Sequence, residues 1–171
     1  LSPDPALKPS AFSGPGGVNR APHFAGGSVK ATLPKWGDHY SIELWFWNGL
    51  PGDARPVGGY LFSRGRPGDR EAAGEHLGIG GTAQPGIRDR LFFFNGNQAN
   101  KLVIGRTPLA LKQWHHVVLV REGRAVRAYL NGNPRPEFEG TAEWSLPEGV
   151  EAVRIAARCD DFAPFEGRVD E

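Results

Sequence analysis

The sequence predicts an all-β fold with little helix, and three observations carry that reading. The first is Trp114-His115-His116-Val117-Val118-Leu119-Val120, followed by Glu122-Gly123 and then Val126-Arg127-Ala128-Tyr129-Leu130-Asn131-Gly132. His116, Val118 and Val120 alternate with His115, Val117 and Leu119, while Val126, Ala128 and Leu130 alternate with Arg127 and Tyr129. Period-two alternation of β-branched and aromatic residues makes a β-hairpin, with Glu122-Gly123 as its turn and Asn131-Gly132 as a second turn beyond. The second observation is punctuation: 24 glycines and 15 prolines, with no long helical-period segment between them, call for many turns. The third is spacing. About ten strand-like runs recur along the chain, the rhythm of a sandwich or barrel.

Taken in order, residues 1–17 hold Pro3, Pro5, Pro9 and Pro15 with three glycines, the composition of a leader or linker. Residues 18–171 then form one domain. His23 to Gly27 and Val29 to Pro34 read as a short strand, a turn and a second strand. Tyr40 to Trp47 is the strongest strand: Tyr40, Ile42, Leu44 and Phe46 make one face, and Ser41, Glu43, Trp45 and Trp47 the other. Large residues on both faces predict a central strand covered on both sides. Gly59 to Ser63 is a strand, followed by a loop from Arg64 to Gly74 whose charges predict exposure. Leu77 to Gly80 and Arg90 to Asn95 pair around Pro85-Gly86, and Leu102 to Gly105 is short. Pro134 and Pro136 make a loop, and Val153, Ile155 and Ala157 mark a late strand.

Composition excludes several functions. Twenty Lys and Arg against nineteen Asp and Glu leave no basic block for nucleic acid or anionic lipid. No apolar run approaches the roughly 18 residues a membrane span needs, and no signal peptide is present in the chain. The single Cys159 cannot form an internal disulfide and reads as a small buried apolar residue, with a thiol activated by Arg158 as the alternative. The chain has no Met, which sets the expectation of a piece excised from a longer protein.

Five segments, in order, resemble the laminin-G-like family of the concanavalin A-like lectin/glucanase superfamily. They are His23-Phe24-Ala25-Gly26-Gly27, Tyr40 to Phe46, Leu61-Phe62-Ser63-Arg64-Gly65, the Trp114 to Gly132 hairpin, and Phe165-Glu166-Gly167-Arg168-Val169-Asp170-Glu171. The resemblance implies a jelly-roll sandwich of two antiparallel sheets, one of them concave. It also implies a further strand beyond Asp170-Glu171, so the domain is expected to lack its last strand.

Glucanases related to this family carry two carboxylates on one strand, as Glu-x-Asp-x-x-Glu or Glu-x-Asp-x-Glu. This chain has no such run: Glu43 stands alone, and Glu166 with Asp170-Glu171 has the wrong spacing. A non-catalytic role is the expectation. His115 and His116 are adjacent and point to opposite faces of a strand, so they cannot chelate one metal as a pair. One of them is expected to pack beneath Trp114 and bond a backbone group. The resemblance implies calcium as the plausible ion, with Asp170 as the best-matched ligand, Asn19 able to approach it, and Asp160 and Asp161 as an acidic pair. The competing reading makes Asp160 and Asp161 a solvated pair and Asp170 a cap for backbone donors.

Sugars are bound by aromatic faces stacking on C–H surfaces, with polar groups fixing hydroxyls. Glu43, Trp45 and Trp47 share a strand face that can line the concave sheet. Trp36, Phe94 and Trp144 are rim candidates, and Asn95, Asn97, Gln98 and Asn100 form an amide-rich loop. The alternative places Trp45 in the core, Trp47 under a loop and the amides in turns. The first functional reading is a carbohydrate- or glycoprotein-binding module of a larger extracytoplasmic protein, with polysaccharide, glycoprotein and the parent's other domains as partners. The Gly-, Ala-, Arg- and Pro-rich composition suits a bacterial source. The second reading is a structural or protein-interaction domain, and a glycan hydrolase is third.

Overall fold

The computed structural model describes residues 21–33, 37–68, 74–96, 101–143 and 152–170. The expected leader over 1–17 lies outside them. Twelve strands are present: β1 His23–Ala25, β2 Val29–Thr32, β3 His39–Asn48, β4 Val57–Gly65, β5 Gly74–Gly80, β6 Leu91–Asn95, β7 Val103–Ile104, β8 Trp114–Glu122, β9 Ala125–Leu130, β10 Phe138–Thr141, β11 Ala152–Ile155 and β12 Glu166–Asp170. They form two six-stranded antiparallel sheets, consistent with a jelly-roll sandwich. The first runs β1-β12-β3-β8-β9-β10 and the second β2-β11-β4-β5-β6-β7.

The hairpin forms as its alternation dictates. Val117 pairs with Leu130 and Leu119 with Ala128, and Gly123 turns the chain at φ +60. His115, Val117 and Leu119 are buried, while His116, Val118 and Val120 are half-buried. β3 is central in its sheet, between β12 and β8. Leu44 and Phe46 enter the core, but the opposite face is not fully covered: Glu43 is exposed and Trp45 and Trp47 are half-buried. The expectation of cover on both sides is corrected there. Trp45 stacks on His116 of the neighbouring strand β8 within its own sheet.

The core lies between the sheets. Phe46, Val117, Leu119, Val126 and Ala128 from the first meet Leu61, Leu77, Ile79, Leu91 and Phe93 from the second, and Phe165 fills the space between. Each such side chain contributes about 1.5–3 kcal/mol by leaving water. The second sheet carries a further cluster on its outer side: Tyr60, Ile87, Phe92 and Phe94, with Val57, Leu102 and Ala163 against it. Residues from the loops before β6, before β7 and before β12 therefore cover that face.

The structure corrects one further sequence expectation, the exposure of Arg64, and adds two features that the sequence does not give. β1 and β2 form where a strand, a turn and a second strand are expected, and they join different sheets, β1 on β12 and β2 on β11. Arg64, expected in an exposed loop, ends β4 and is 3% exposed. Its guanidinium lies 3.4 Å from the buried Glu75 carboxylate. β10 follows the loop of Pro134 and Pro136; Phe138 drops into the core and anchors it.

One end of the sandwich is closed by charge rather than by apolar packing. Glu75 on β5 accepts the Tyr40 hydroxyl at 2.5 Å and pairs with Arg64 and with Arg121 of β8. Arg121 also lies 3.6 Å from Asp38. Glu75 is fully buried and Arg121 is 1% exposed, so this network ties the sheets together where water cannot help. Burial pushes the Tyr40 hydroxyl up to about 12, against the pull of both arginines.

Candidate functional site

The outer face of the first sheet is built from alternate residues of β12, β3, β8 and β9. Register aligns them in rows across the strands. Arg168, Trp47 and Trp114 stand side by side, because Trp47 pairs with both the others. One step along, Asp170, Trp45 and His116 make a second row. Glu43, Val118 and Tyr129 make a third. Neighbouring strands lie about 4.8 Å apart, so residues within a row are cross-strand neighbours. The result is three indoles and a phenol interleaved with Arg168, Asp170, His116 and Glu43.

Local contacts hold this face. Trp45 and His116 stack with ring centroids 4.8 Å apart. His116 Nε2 lies 2.8 Å from Glu43 Oε1, so the imidazole donates to an exposed carboxylate. The His116 backbone N–H donates to Asn131 Oδ1 at 2.9 Å, which ties the end of the hairpin to the face. Gly167 lets β12 approach β3: it has φ +153, and a Cβ there would lie 2.1 Å from the Trp47 carbonyl oxygen. His115 points the other way. It packs on Phe46 at 5.4 Å and donates from Nε2 to the Ala110 carbonyl at 2.9 Å. The backbone bond agrees with the sequence expectation, and Phe46 is a packing partner of the ring.

Of the sequence-predicted ligand residues, Glu43, Trp45 and Trp47 are brought together here. Asn95 is not: it ends β6 in the second sheet, is buried, and donates towards Glu75 Oε1 at 3.5 Å. Phe94 is buried in the outer cluster of the second sheet rather than on a rim. Trp36, Asn97, Gln98, Asn100 and Trp144 lie outside the described residues. Sequence reasoning did not select Trp114, Tyr129, Arg168 or His116 as ligand residues. Parity along the hairpin, which puts His116, Val118 and Tyr129 on one side, was the available signal.

The expected metal ligands are dispersed. Asp170 stands on the outer face of the first sheet beside Trp45. Asp160 is held by Arg158 through two contacts of 2.7 and 2.5 Å and also accepts the Phe162 N–H. The Arg158 guanidinium holds its carboxyl below the usual carboxylate range. Asp161 lies near Lys30 and Arg154 of the second sheet. Asn19 lies outside the described residues. Among the described residues, no three His, Cys, Asp or Glu side chains gather as a metal site.

A second polar constellation is closed to solvent. Ser63 Oγ lies 2.6 Å from His76 Nδ1, donates to Cys159 Sγ at 3.3 Å and accepts the Cys159 N–H at 3.0 Å. A hydroxyl has one proton, so with the thiol as its acceptor, His76 Nδ1–H is the donor to Ser63. Burial, aided by Arg158, pushes His76 down to about 3 and keeps it neutral. Burial pushes the Cys159 thiol up, as expected of a packed residue rather than a nucleophile.

Residues 25–171 match a laminin-G family model described as the concanavalin A-like lectin/glucanases superfamily. No curated protein matches the chain in sequence. Among solved structures, it is similar to domain 4 of AbnA, a GH43 extracellular arabinanase from Geobacillus stearothermophilus, in complex with arabinotriose. The TM-score is 0.60 with 22% identity, over 88% of this chain and 67% of that one. It is also similar to the CBM40 of the Ruminococcus gnavus IT-sialidase, with a TM-score of 0.55 and 12% identity over 85% of this chain and 91% of that one. At these identities the likeness establishes a shared fold.

Proposed function

The chain belongs to the concanavalin A-like lectin/glucanases superfamily, and on that premise we propose that it is a non-catalytic carbohydrate-binding module of an extracytoplasmic protein. The observation that carries the proposal is the paired Trp47 and Trp114, with Trp45 and Tyr129 in the adjoining rows of the same face. Aromatic faces at strand spacing offer stacking surfaces to successive sugar rings, and Glu43, His116, Arg168 and Asp170 offer donors and acceptors to their hydroxyls. Glu43 pairs with His116 at the edge of this aromatic surface.

The arabinanase domain was solved with arabinotriose, so arabinan is the first polysaccharide to test. Affinity electrophoresis against a polysaccharide panel should show retardation of the native domain, and Trp47→Ala or Trp114→Ala should weaken it by about tenfold. No retardation by any polysaccharide would transfer the assignment to a structural or protein-interaction domain. Calcium remains part of the proposal, with Asp170 as its best-matched ligand and Asn19 as the residue able to approach it. Melting with calcium and then with chelator reads it, and an unchanged midpoint removes it.

A further inference from the structure

We propose a second, independent binding site for an acidic saccharide at the loop between β5 and β6. A hollow of about 480 Å³ there is lined by Gly81, Thr82, Gln84, Pro85, Gly86, Arg88 and Arg90. Arg88 and Arg90 line it with no carboxylate among the lining residues, and Arg90 Nη1 reaches the Gly105 carbonyl only at 3.5 Å, a weak contact that an anion can displace. The fork of an arginine matches the oxygens of a carboxylate or sulfate, and two such forks suit an anion better than a neutral sugar. The hollow is larger than a bare anion requires. Its remaining lining is a hydroxyl, an amide and a proline ring, which suits a sugar ring bearing the anion.

Backbone hydrogen bonds frame the loop, so binding has to order the two arginine side chains but not the chain that carries them. Thr82 and Ala83 N–H groups donate to the Arg55 and Pro56 carbonyls at 3.0 Å each. The Asp89 backbone N–H donates to the Gly80 carbonyl at 3.1 Å, and the Gly80 N–H donates to the Arg90 carbonyl at 2.9 Å, closing the loop at its base. Ile87 is 3% exposed and pins the loop to the outer cluster of the second sheet.

Among the described residues, Asp89 is a competing charge, its carboxylate 3.8 Å from Arg88 Nε. Its carboxylate is packed against Gly52, where a Cβ would meet Asp89 Oδ1 at 2.1 Å. Arg88 is 62% exposed at its side chain and gains little from so long a contact. A comparable hollow near β10 makes the contrast. It holds Arg106 and Arg135 but also Glu137 and Glu139, so its charges cancel.

The test uses the native chain, labelled with nitrogen-15, and three probes: an oligogalacturonate, a heparin-derived oligosaccharide and a neutral arabino-oligosaccharide. Either acidic probe should shift the Gly81, Thr82 and Gly86 amides saturably, and the neutral one should not. Which acidic probe acts distinguishes carboxylate from sulfate as the anion. Arg88→Gln with Arg90→Gln should weaken binding by about tenfold or more, and salt should weaken it in the native chain. Trp47→Ala should leave it unchanged, so loss of the aromatic-face reading and loss of this one are separable. Absence of shifts at these amides with both acidic probes, or equal shifts in the double variant, would overturn the assignment.

Discussion

In the first sheet, β8, β9 and β12 bury every second residue, and so does the latter half of β3; in the second, β5 and β6 are buried at every position and β4 at all but its first. The strands themselves are equally regular. The difference lies in what covers them. Tyr60, Phe92 and Phe94 face outward from the second sheet and are covered by Ile87, Leu102 and Ala163 from loops. The outer face of the first sheet keeps Trp45, Trp47 and Trp114 half-exposed. An apolar outer face is thus packed in one sheet and presented in the other. The presented one is where a partner can be met.

The sharpest way to test that contrast is to damage the charge network between the sheets. Glu75→Ala leaves Arg64 and Arg121 buried without their carboxylate and should cost about 3–5 kcal/mol. Replacing Glu75 and Arg121 together by apolar residues should recover much of the loss. A cost below about 1 kcal/mol in urea unfolding would mean that apolar packing alone joins the sheets.

Next come neighbours on opposite faces of β3. Phe46→Ala should cost about 3–5 kcal/mol by opening a core cavity. Trp45→Ala should cost about 1 kcal/mol while weakening carbohydrate binding. Equal stability losses would show that the outer face is core after all.

His76 gives a test by pH. Its folded value, about 3, lies below the unfolded one, so folding excludes a proton. Stability from this group is complete above the unfolded value, near 6.5, and falls as the pH drops from there towards 3. The slope approaches about 1.4 kcal/mol per pH unit. His76→Gln should flatten the decline between pH 6.5 and 5, above the range where most carboxylates titrate; an unchanged slope would show that His76 protonates without unfolding.

The smallest effect belongs to the exposed side. Arg127→Ala removes an ion pair to Glu122 at 2.8 Å whose partners are 38% and 59% exposed. Thermal unfolding should register less than about 0.5 kcal/mol.

Much of the architecture is legible because alternation is local. The parity of Trp114 to Leu130 fixes which residues face inward whatever lies across from them, and the face shared by Glu43, Trp45 and Trp47 follows from their spacing alone. Charge misled, and a strand went unread, where tertiary contacts overrode local preference. Arg64 looks exposed until Glu75 is brought beside it, and β10 is hidden behind Pro134 and Pro136 until Phe138 finds the core.

By itself, then, the sequence determined the all-β class, the hairpin, the centrality of β3 and the aromatic face of that strand. Only the tertiary structure decided that β1 and β2 part to different sheets, that Asn95 stays with the second sheet, and that Trp114, Tyr129 and Arg168 stand beside Trp45 and Trp47. The physical reason is that alternation encodes which side of a strand is apolar, whereas the partner strand and its register are set by contacts between residues far apart in the chain. Trp47 and Trp114 meet only because β3 and β8 pair across 66 intervening residues.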